Sequence, residues 1–572
     1  MDNPSNVPAK LLVLISLLQG LILLLLHQSI EFEFWPYQQP QWLFSFYTLA
    51  IAAPTMLLLG LNDQHGMNML KIMLPITLLL GLIGFYMGYQ VIPIISINYS
   101  QLLMIYIFTM LIACFKGLMY LQQLSSNETI SYHSLFSWSW RNFLTLVLAG
   151  LFAMSFWGVL MLWGALFKAI EIDFFHTLFT EEWFYYPVLS MAFGFGIIIF
   201  RNLSHVIDTI TRLQQALMKF LLVVLVLVAI LFLVALPFSG LEPLWKSGGS
   251  TLILWMMLLM LFFVNAVYQD DPQARPYSIF LHRFIFVGLA LLPIYSAISF
   301  YGLSLRVDQY GWSIARCWAM LIWSLLTLFS IGYLVGIIRL RDNWLQQLNV
   351  VNIVMGIVVL VVMLLVNSPL LDFRKWVVVS QLEQLAQGEI NANDLELNYF
   401  KNSLAAPGFN ALQDLKQQNE ESNPSLGVRI TSLYANKKVP SSLVSEDEYI
   451  AAINVLGGEI PDNLKESLYE KAAHSGWRMT QTKGYYIKSI ELNGEAPLEY
   501  LFLEKTEYSN SLTLYYWKEE EWNSTGLSKQ NKLGVEQDAF IEIFKTEDIQ
   551  QVSPKWPDLK IGDYAFQINN RY

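Results

Sequence analysis

The feature that most constrains this chain is a series of eleven apolar stretches, the first at Leu11–Leu26 and the last at Val350–Val366. A helix needs about 20 apolar residues to cross the hydrocarbon core of a bilayer, and these stretches approach that length. They are apolar on all sides, whereas helices of a large soluble core carry an amphipathic stripe. The sequence therefore predicts an all-α polytopic membrane bundle of about eleven transmembrane helices, followed by a C-terminal extramembrane α+β domain.

The distribution of charged residues also divides the chain near residue 368, just after the last apolar stretch. The first 368 residues carry 15 Lys and Arg against 15 Asp and Glu, and the rest carry 20 against 30, so the net charge of -10 belongs to the C-terminal part. An acidic domain repels phosphates, which argues against a nucleic-acid partner. We expect a transmembrane domain over 1–368, a membrane-exit segment and linker over 369–440, and a soluble domain over 441–572.

Lys and Arg in the short loops predict the orientation. With the N-terminus in the cytoplasm, eleven of these residues fall on the cytoplasmic side and four outside, at Lys168, Lys246, Arg306 and Arg316. The N-terminal stretch lacks a small-residue cleavage site, which indicates a retained first span rather than a signal peptide. An odd number of spans then places the C-terminal domain outside. The expected location is the bacterial inner membrane, with a periplasmic C-terminal domain.

Small residues within the spans indicate where helices approach each other closely. Gly20 in the first stretch and Gly194 in the sixth are expected at helix contacts. In the loop at 170–183, four apolar residues fall at helical spacing, namely Phe174, Phe175, Leu178 and Phe179. This pattern predicts a short helix in the plane of the membrane interface.

The densest polar group at membrane depth lies at the end of the eighth stretch. Asn265, Tyr268 and Gln269 are spaced i, i+3 and i+4, so they share one helix face. One interpretation is a polar lining that holds a headgroup, ion or substrate. The other, which we favour, is an interhelical hydrogen bond followed by a helix end at Asp-Asp-Pro. The candidate ligand-binding residues are Asn265, Tyr268, Gln269, Asp270, Asp271 and Arg275.

One weak enzymatic signal is the pair Glu31 and Glu33, after the first span on the expected outer side. Membrane glycosyltransferases that use polyprenyl-phosphate-linked sugars carry paired acidic residues in the corresponding loop. Alternate residues of an extended strand face the same way, so the two carboxylates would converge and could bind a divalent metal or act as a base. Outside loops are poor in Lys and Arg in any case, and we favour that explanation.

Other catalytic signatures are missing from the sequence. It contains no HExxH pair, GxSxG elbow, Walker A loop or GxGxxG, and both cysteines, Cys114 and Cys317, lie in apolar stretches. We therefore expect no cofactor and no metal site, and we favour a protein without enzymatic activity while the enzymatic alternative stays open. The favoured hypothesis is a non-enzymatic envelope protein in contact with membrane lipids, with an external domain that recognises a periplasmic protein or cell-wall component. The alternatives are the lipid-linked sugar transferase and a small-solute transporter.

The C-terminal domain combines helical and strand patterns. Ser445–Glu448 has the form of a capping box opening a helix that stops near Gly457, and a second helix is expected over Asn463–His474. Aromatic-rich or alternating segments then predict strands. These segments are Tyr485–Leu492, Leu498–Glu504, Leu512–Trp517, Glu521–Thr525 and Ala539–Phe544.

Several motifs of the chain together resemble a known family. They are Tyr132–Phe136 with Trp140–Asn142, Leu162–Phe167, Phe263–Asp270, Tyr310–Ser313 leading to Arg316, and Asn367–Asp372. Over roughly residues 10 to 415 the sequence is similar to the bacterial multi-pass membrane protein family named domain of unknown function 4153. Trp312 departs from the pattern, which leads us to expect a smaller aliphatic residue there. The resemblance implies a multi-pass architecture and no particular activity.

Overall fold

The computed structural model of the chain describes most of the sequence as ordered elements. The described residues are 9–62, 65–94, 96–126, 129–242, 249–268, 276–341, 344–391, 395–419, 424–434, 446–457, 460–474, 482–492, 494, 496–506, 510–518, 521–527, 537–546, 549, 559–561 and 564–566. Backbone contacts divide the chain into two compact units, Met1–Ile430 and Thr431–Tyr572. The domain limits expected from composition stay predictions.

The first unit is a helical bundle. Within the described residues, eleven helical segments are long and apolar enough to cross a membrane, which confirms the predicted bundle. The spans are α1 (Ala9–Glu31), α2 (Pro40–Gly60), α3 (Gly66–Tyr89), α4 (Ser100–Ser125), α5 (Tyr132–Lys168), α7 (Glu182–Asn202), α8 (Ser204–Ser239), α9 (Gly249–Val267), α10 (Ile279–Ala290) with α11 (Leu292–Tyr310) as one span, α12 (Ile314–Leu340) and α13 (Leu345–Leu365). Between them lies the predicted short helix, α6 (Phe174–Thr180).

Glycines allow several spans to approach backbone to backbone, as predicted. A Cβ at Gly20 of α1 would lie 2.7 Å from the Cα of Pro187 in α7, and one at Gly194 of α7 would lie 2.5 Å from the Cβ of Ser16. Any side chain at either position would collide with the neighbouring helix. In lipid, where no hydrophobic force drives helices together, close packing of this kind holds α1 against α7.

Buried side chains form two large clusters within the bundle. One contains residues of the four helices α1 through α4 with parts of α5 and α7. The other contains residues of the six helices α8 through α13. The Tyr120 hydroxyl of α4 connects the two halves, because it donates to the Ile353 carbonyl of α13 over 2.8 Å. Gly356, one helical turn after Ile353, leaves room for the Tyr120 ring.

Four helices follow the last span, of which the first three lie in the first unit and the fourth crosses its limit at Ile430. They are α14 (Phe373–Ala386), α15 (Leu397–Ser403), α16 (Ala405–Gln418) and α17 (Pro424–Tyr434). Phe400, Leu404 and Leu412 are buried in this region, so the chain after the last span is packed structure.

The second unit contains a five-stranded sheet. Its strands are β1 (Ile453–Val455), β2 (Thr482–Ile490), β3 (Glu499–Thr506), β4 (Asn510–Lys518) and β5 (Glu521–Leu527), in that spatial order. β1 pairs parallel with β2, and the other neighbours are antiparallel. A two-stranded sheet is formed by β6 (Leu559–Ile561) and β7 (Tyr564–Phe566).

Alternating side chains of the large sheet contribute to two separate clusters. Tyr485 and Phe502 lie in one cluster with residues of α18 (Glu446–Ala451) and α19 (Asp462–His474). Leu501 and Leu503 lie in the other with residues of α20 (Gln537–Thr546). Because neighbouring residues of a strand point to opposite faces, the sheet has helices on both sides. This arrangement confirms the predicted α+β domain.

Two local predictions for this domain were wrong. The helix expected to stop near Gly457 ends at Ala451, because Ile453 begins β1 and pairs with Tyr485. Ala539–Phe544, expected as a strand, belongs to α20. Ile541 and Phe544 are both buried and three residues apart, which is the spacing of a helix face rather than of a strand. Ser445, the start of the predicted capping box, lies outside the described residues.

Candidate functional site

The predicted polar candidate Asn265 takes part in a network between four spans. Its Oδ1 accepts hydrogen bonds from the Tyr333 hydroxyl of α12 at 2.8 Å and from Asn352 Nδ2 of α13 at 2.6 Å. The Tyr333 hydroxyl also lies 2.5 Å from Asn352 Oδ1, and Tyr132 of α5 donates to the Asn265 carbonyl at 3.2 Å. We call these four residues the Asn265 network. An amide held in this way favours interhelical packing over a substrate path.

Tyr268, the residue directly after α9, makes contacts outside this network. The Tyr268 hydroxyl lies 3.2 Å from His282 Nδ1, and its ring contacts the indole of Trp344. Trp344 is fully buried, and its indole N–H has no hydrogen-bond partner within the described part of the chain. The remaining predicted candidates, Gln269, Asp270, Asp271 and Arg275, lie outside the described residues.

The acidic pair Glu31 and Glu33 is exposed. Glu31 is the last residue of α1, and Glu33 has a backbone φ of 52°, so the pair lies in a helix end and turn. The extended strand that would have made the carboxylates converge was a wrong expectation. Nearby, His27 Nε2 lies 2.6 Å from Glu182 Oε1 and connects α1 to α7. Among the described residues, no group of three or more His, Cys, Asp or Glu side chains could hold a metal.

A buried ion pair that the sequence did not single out lies directly after the last span. Asp372 and Arg374 are each 7% exposed. Asp372 Oδ1 accepts from Arg374 Nε at 2.7 Å and from its backbone N–H at 3.0 Å. Oδ2 accepts from Arg374 Nη2 at 2.8 Å and from the Tyr86 hydroxyl of α3 at 2.7 Å. Four donors therefore occupy the carboxylate, which offsets the cost of removing it from water.

The end of the last span fixes the position of this pair. Asn367 Nδ2 donates to Thr109 Oγ1 of α4 and to the Met363 carbonyl, both at 2.8 Å. The Ser368 hydroxyl donates to the Leu365 carbonyl at 2.7 Å, so both side chains satisfy groups at the C-terminus of α13. Asp372 is then the N-cap of α14. We call Tyr86, Asn367, Asp372 and Arg374 the exit site.

A pocket opens beside the exit site. Seven apolar or sulfur-containing side chains form most of its wall, and polar groups form the rest. The lining residues are Met87, Leu102, Ile105, Ile314, Trp318, Val366, Asn367, Asp372, Phe373, Arg374 and Ser403. Chemically, the pocket presents a guanidinium and amide at one end of an apolar surface. Asp372 has no free lone pair with which to act as a general base, because all four of its acceptor positions are occupied.

Trp312, the residue that departs from the family pattern, makes two contacts with α14 in the structure. The Trp312 ring stacks on Trp376 of α14, with ring centroids 6.1 Å apart. The Trp312 carbonyl accepts from Gln381 Nε2 at 3.3 Å. The turn that precedes α12 is therefore attached to α14, the helix that carries the buried arginine.

Two further bonds hold the following helices to span ends. The Tyr399 hydroxyl of α15 accepts from the Ile314 N–H over 2.9 Å, and the Ala406 N–H of α16 donates to the Gln90 carbonyl over 3.0 Å. Burial raises the pKa of Tyr399, so its hydroxyl stays protonated at neutral pH. The exit site is thus braced by α14, α15 and α16.

Sequence reasoning identified Asn367–Asp372 only as the end of the last span and as part of a family motif. A signal was present, since Asp372 and Arg374 stand close together where the apolar stretch ends. The partner Tyr86, 286 positions earlier, could not be found from spacing.

The family model described as Domain of unknown function (DUF4153) matches residues 13–415. The matched region includes the Asn265 network and the whole exit site. No curated protein matches the chain, and no solved structure matches it.

Proposed function

The chain belongs to the family described as Domain of unknown function (DUF4153), and from this premise we propose that it is a non-enzymatic protein of the bacterial cell envelope. Its spans anchor it in the inner membrane with the N-terminus in the cytoplasm. Its C-terminal α+β domain lies in the periplasm and recognises a partner protein or a cell-wall component.

The observation that carries this proposal is the state of the polar groups in the first unit. The Asn265 amide and the Asp372 carboxylate, which could bind or activate a substrate, are occupied by hydrogen bonds from their own chain. A transfer enzyme needs a carboxylate with a free lone pair, and a transporter needs polar groups that are free to exchange partners. A bundle in which the Asn265 amide oxygen and the Asp372 carboxylate are paired within the chain is suited to anchoring.

The distribution of charge supports the location and narrows the partner. The excess of Lys and Arg in the loops assigned to the cytoplasm, with an odd number of spans, favours a periplasmic C-terminal domain. The net charge of -10 belongs to the part after residue 368. Complementary charge promotes association, so the contact surface of the partner is expected to be neutral or basic.

Cysteine accessibility in whole cells tests the location. In a background with Cys114 and Cys317 replaced by serine, single cysteines are introduced as Lys518→Cys in β4, Gln38→Cys before α2 and Met67→Cys in α3. A membrane-impermeant maleimide should label the first two in cells with a permeable outer membrane. It should label the third only after the inner membrane is opened. Protection of Lys518→Cys until that point would overturn the periplasmic assignment.

Complementation tests the role of the C-terminal domain. In a deletion strain with an envelope-stress phenotype, a chain ending at Ile430 should accumulate in the membrane without restoring growth. The full chain with Glu31→Gln and Glu33→Gln should restore growth completely. Growth that is restored by the chain ending at Ile430 but not by the Glu31→Gln, Glu33→Gln variant would support the lipid-linked sugar transferase and remove the recognition role.

A further inference from the structure

The pocket beside the exit site lies where three spans reach the membrane boundary. Leu102 is in the first turn of α4, Ile314 is the first residue of α12, and Val366 caps the end of α13. Lipid headgroups occupy this level of a membrane protein, next to the ends of the apolar helices. The apolar wall therefore continues the lipid-facing surface, and the polar groups lie at headgroup depth.

Arg374 lines this pocket and retains hydrogen-bonding capacity. Its Nε and Nη2 donate to Asp372, and Nη2 also contacts Met87 Sδ at 3.7 Å. Within the described part of the chain, Nη1 has no acceptor, and it is not among the atoms sealed in the interior without a partner. A guanidinium has five N–H donors, so two remain on Nη1 for an acceptor in the pocket.

The charges around the pocket favour an anion. The Asp372 carboxylate is neutralised by Arg374, and the exposed Lys375 follows directly, with its Nζ 5.6 Å from the Tyr86 ring centroid. Asp372, Arg374 and Lys375 together carry one net positive charge. The pocket also lies at the N-terminus of the fourteen-residue helix α14, where backbone dipoles add partial positive charge.

The size of the pocket selects a small group. The cavity volume is about 40 Å³, which is room for a few heavy atoms rather than for a whole sugar. A phosphoryl group has this size, carries negative charge and matches the guanidinium edge. We propose that the pocket binds the phosphoryl group of a membrane phospholipid, with Arg374 Nη1 as the donor and the acyl chains along the apolar wall.

Native mass spectrometry of the purified full-length protein tests this site. The probes are phosphatidylglycerol, a diacylglycerol with the same acyl chains, and inorganic phosphate. Phosphatidylglycerol should bind at least about tenfold more tightly than diacylglycerol, because a hydrogen bond to a charged group contributes about this factor. Millimolar inorganic phosphate should leave the bound lipid in place. Equal binding of the two lipids, or displacement of the lipid by inorganic phosphate, would overturn the proposal.

Two variants with a matched control locate the binding. Arg374→Lys keeps a cation beside Asp372 but lacks the second edge of the guanidinium, and it should weaken phosphatidylglycerol binding about tenfold. Ser403→Trp replaces no member of the ion pair, places a bulky side chain at the pocket wall and should weaken phosphatidylglycerol binding similarly. Asn402→Trp, at the exposed neighbouring position of α15, should bind like the unaltered protein. Unchanged binding in Ser403→Trp contradicts the assignment even if Arg374→Lys fails to fold.

Discussion

The Asn265 network and the exit site both bury polar groups within the protein, but they pair these groups differently. In the network, neutral amides and hydroxyls from separate spans bond to each other around one acceptor, Asn265 Oδ1. In the exit site, an ion pair is buried. All acceptor positions of the Asp372 carboxylate are occupied, whereas the Arg374 guanidinium keeps donors without an acceptor among the described residues. The first arrangement joins helices, whereas the second leaves a charged donor facing a pocket.

This difference shows why burial alone does not identify a binding site. Tyr333 is more deeply buried than Arg374, yet the described structure gives its hydroxyl two acceptors. Arg374 has more donors than Asp372 can accept from, so part of its capacity remains. The count of donors against acceptors, rather than depth in the bundle, distinguishes a structural network from a candidate site.

The largest loss of stability is expected when the ion pair of the exit site is broken. Arg374→Ala leaves the Asp372 carboxylate buried beside Tyr86 without its cation. Loss of one partner of a buried pair costs about 3–5 kcal/mol. Denaturant unfolding in detergent, followed by tryptophan fluorescence, measures the change in the free energy of unfolding.

The matched control for this substitution is the double variant Asp372→Ala with Arg374→Ala. Because it removes the unpaired charge as well, it should recover at least half of the lost stability. A double variant that is as unstable as Arg374→Ala would show that the burial cost of Asp372 is not the cause.

A smaller effect is expected in the Asn265 network. Asn265→Ala removes the acceptor shared by Tyr333 and Asn352, but these two can still bond to each other. Hydrogen bonds between membrane helices contribute about 0.6 kcal/mol on average and about 1.7 at most, so a loss of about 1 kcal/mol is expected in the same unfolding experiment. A loss equal to that of Arg374→Ala would remove the distinction between the two regions.

The smallest effect is expected at the exposed acidic pair. Glu31→Gln with Glu33→Gln changes two solvated side chains, and such surface substitutions change stability by less than about 0.5 kcal/mol. The double variant serves as the baseline for the other two. A melting temperature well below that of the unaltered protein would indicate contacts of these carboxylates that the structure does not contain.

The span bundle could be predicted from the sequence because its signal is local. Each apolar stretch indicates a span by itself, and Gly20 and Gly194 indicate a contact without naming the neighbour. The face occupied by Asn265 was likewise identified, but its partners Tyr333 and Asn352 lie 68 and 87 positions away. Which side chain completes a network depends on helix packing, and the spacing of residues does not contain that information.

The C-terminal domain shows the limit of periodicity in short segments. The strands around Tyr485 and Phe502 were predicted because alternation over several residues fits only a strand. The six residues Ala539–Phe544 contain apolar positions that fit both a strand and a helix face, and packing of Ile541 and Phe544 decides for the helix. The exit site was not predicted because its sequence pattern is short and because its partner Tyr86 lies far away in the sequence.

The most direct test of the difference between the two regions is the melting temperature of three proteins with and without added phosphatidylglycerol. A ligand that binds the folded state raises its stability. The lipid should raise the melting temperature of the unaltered protein and of Asn265→Ala by the same amount, and should raise that of Arg374→Lys by clearly less. Equal stabilisation of Arg374→Lys, or loss of the effect in Asn265→Ala, would contradict the account.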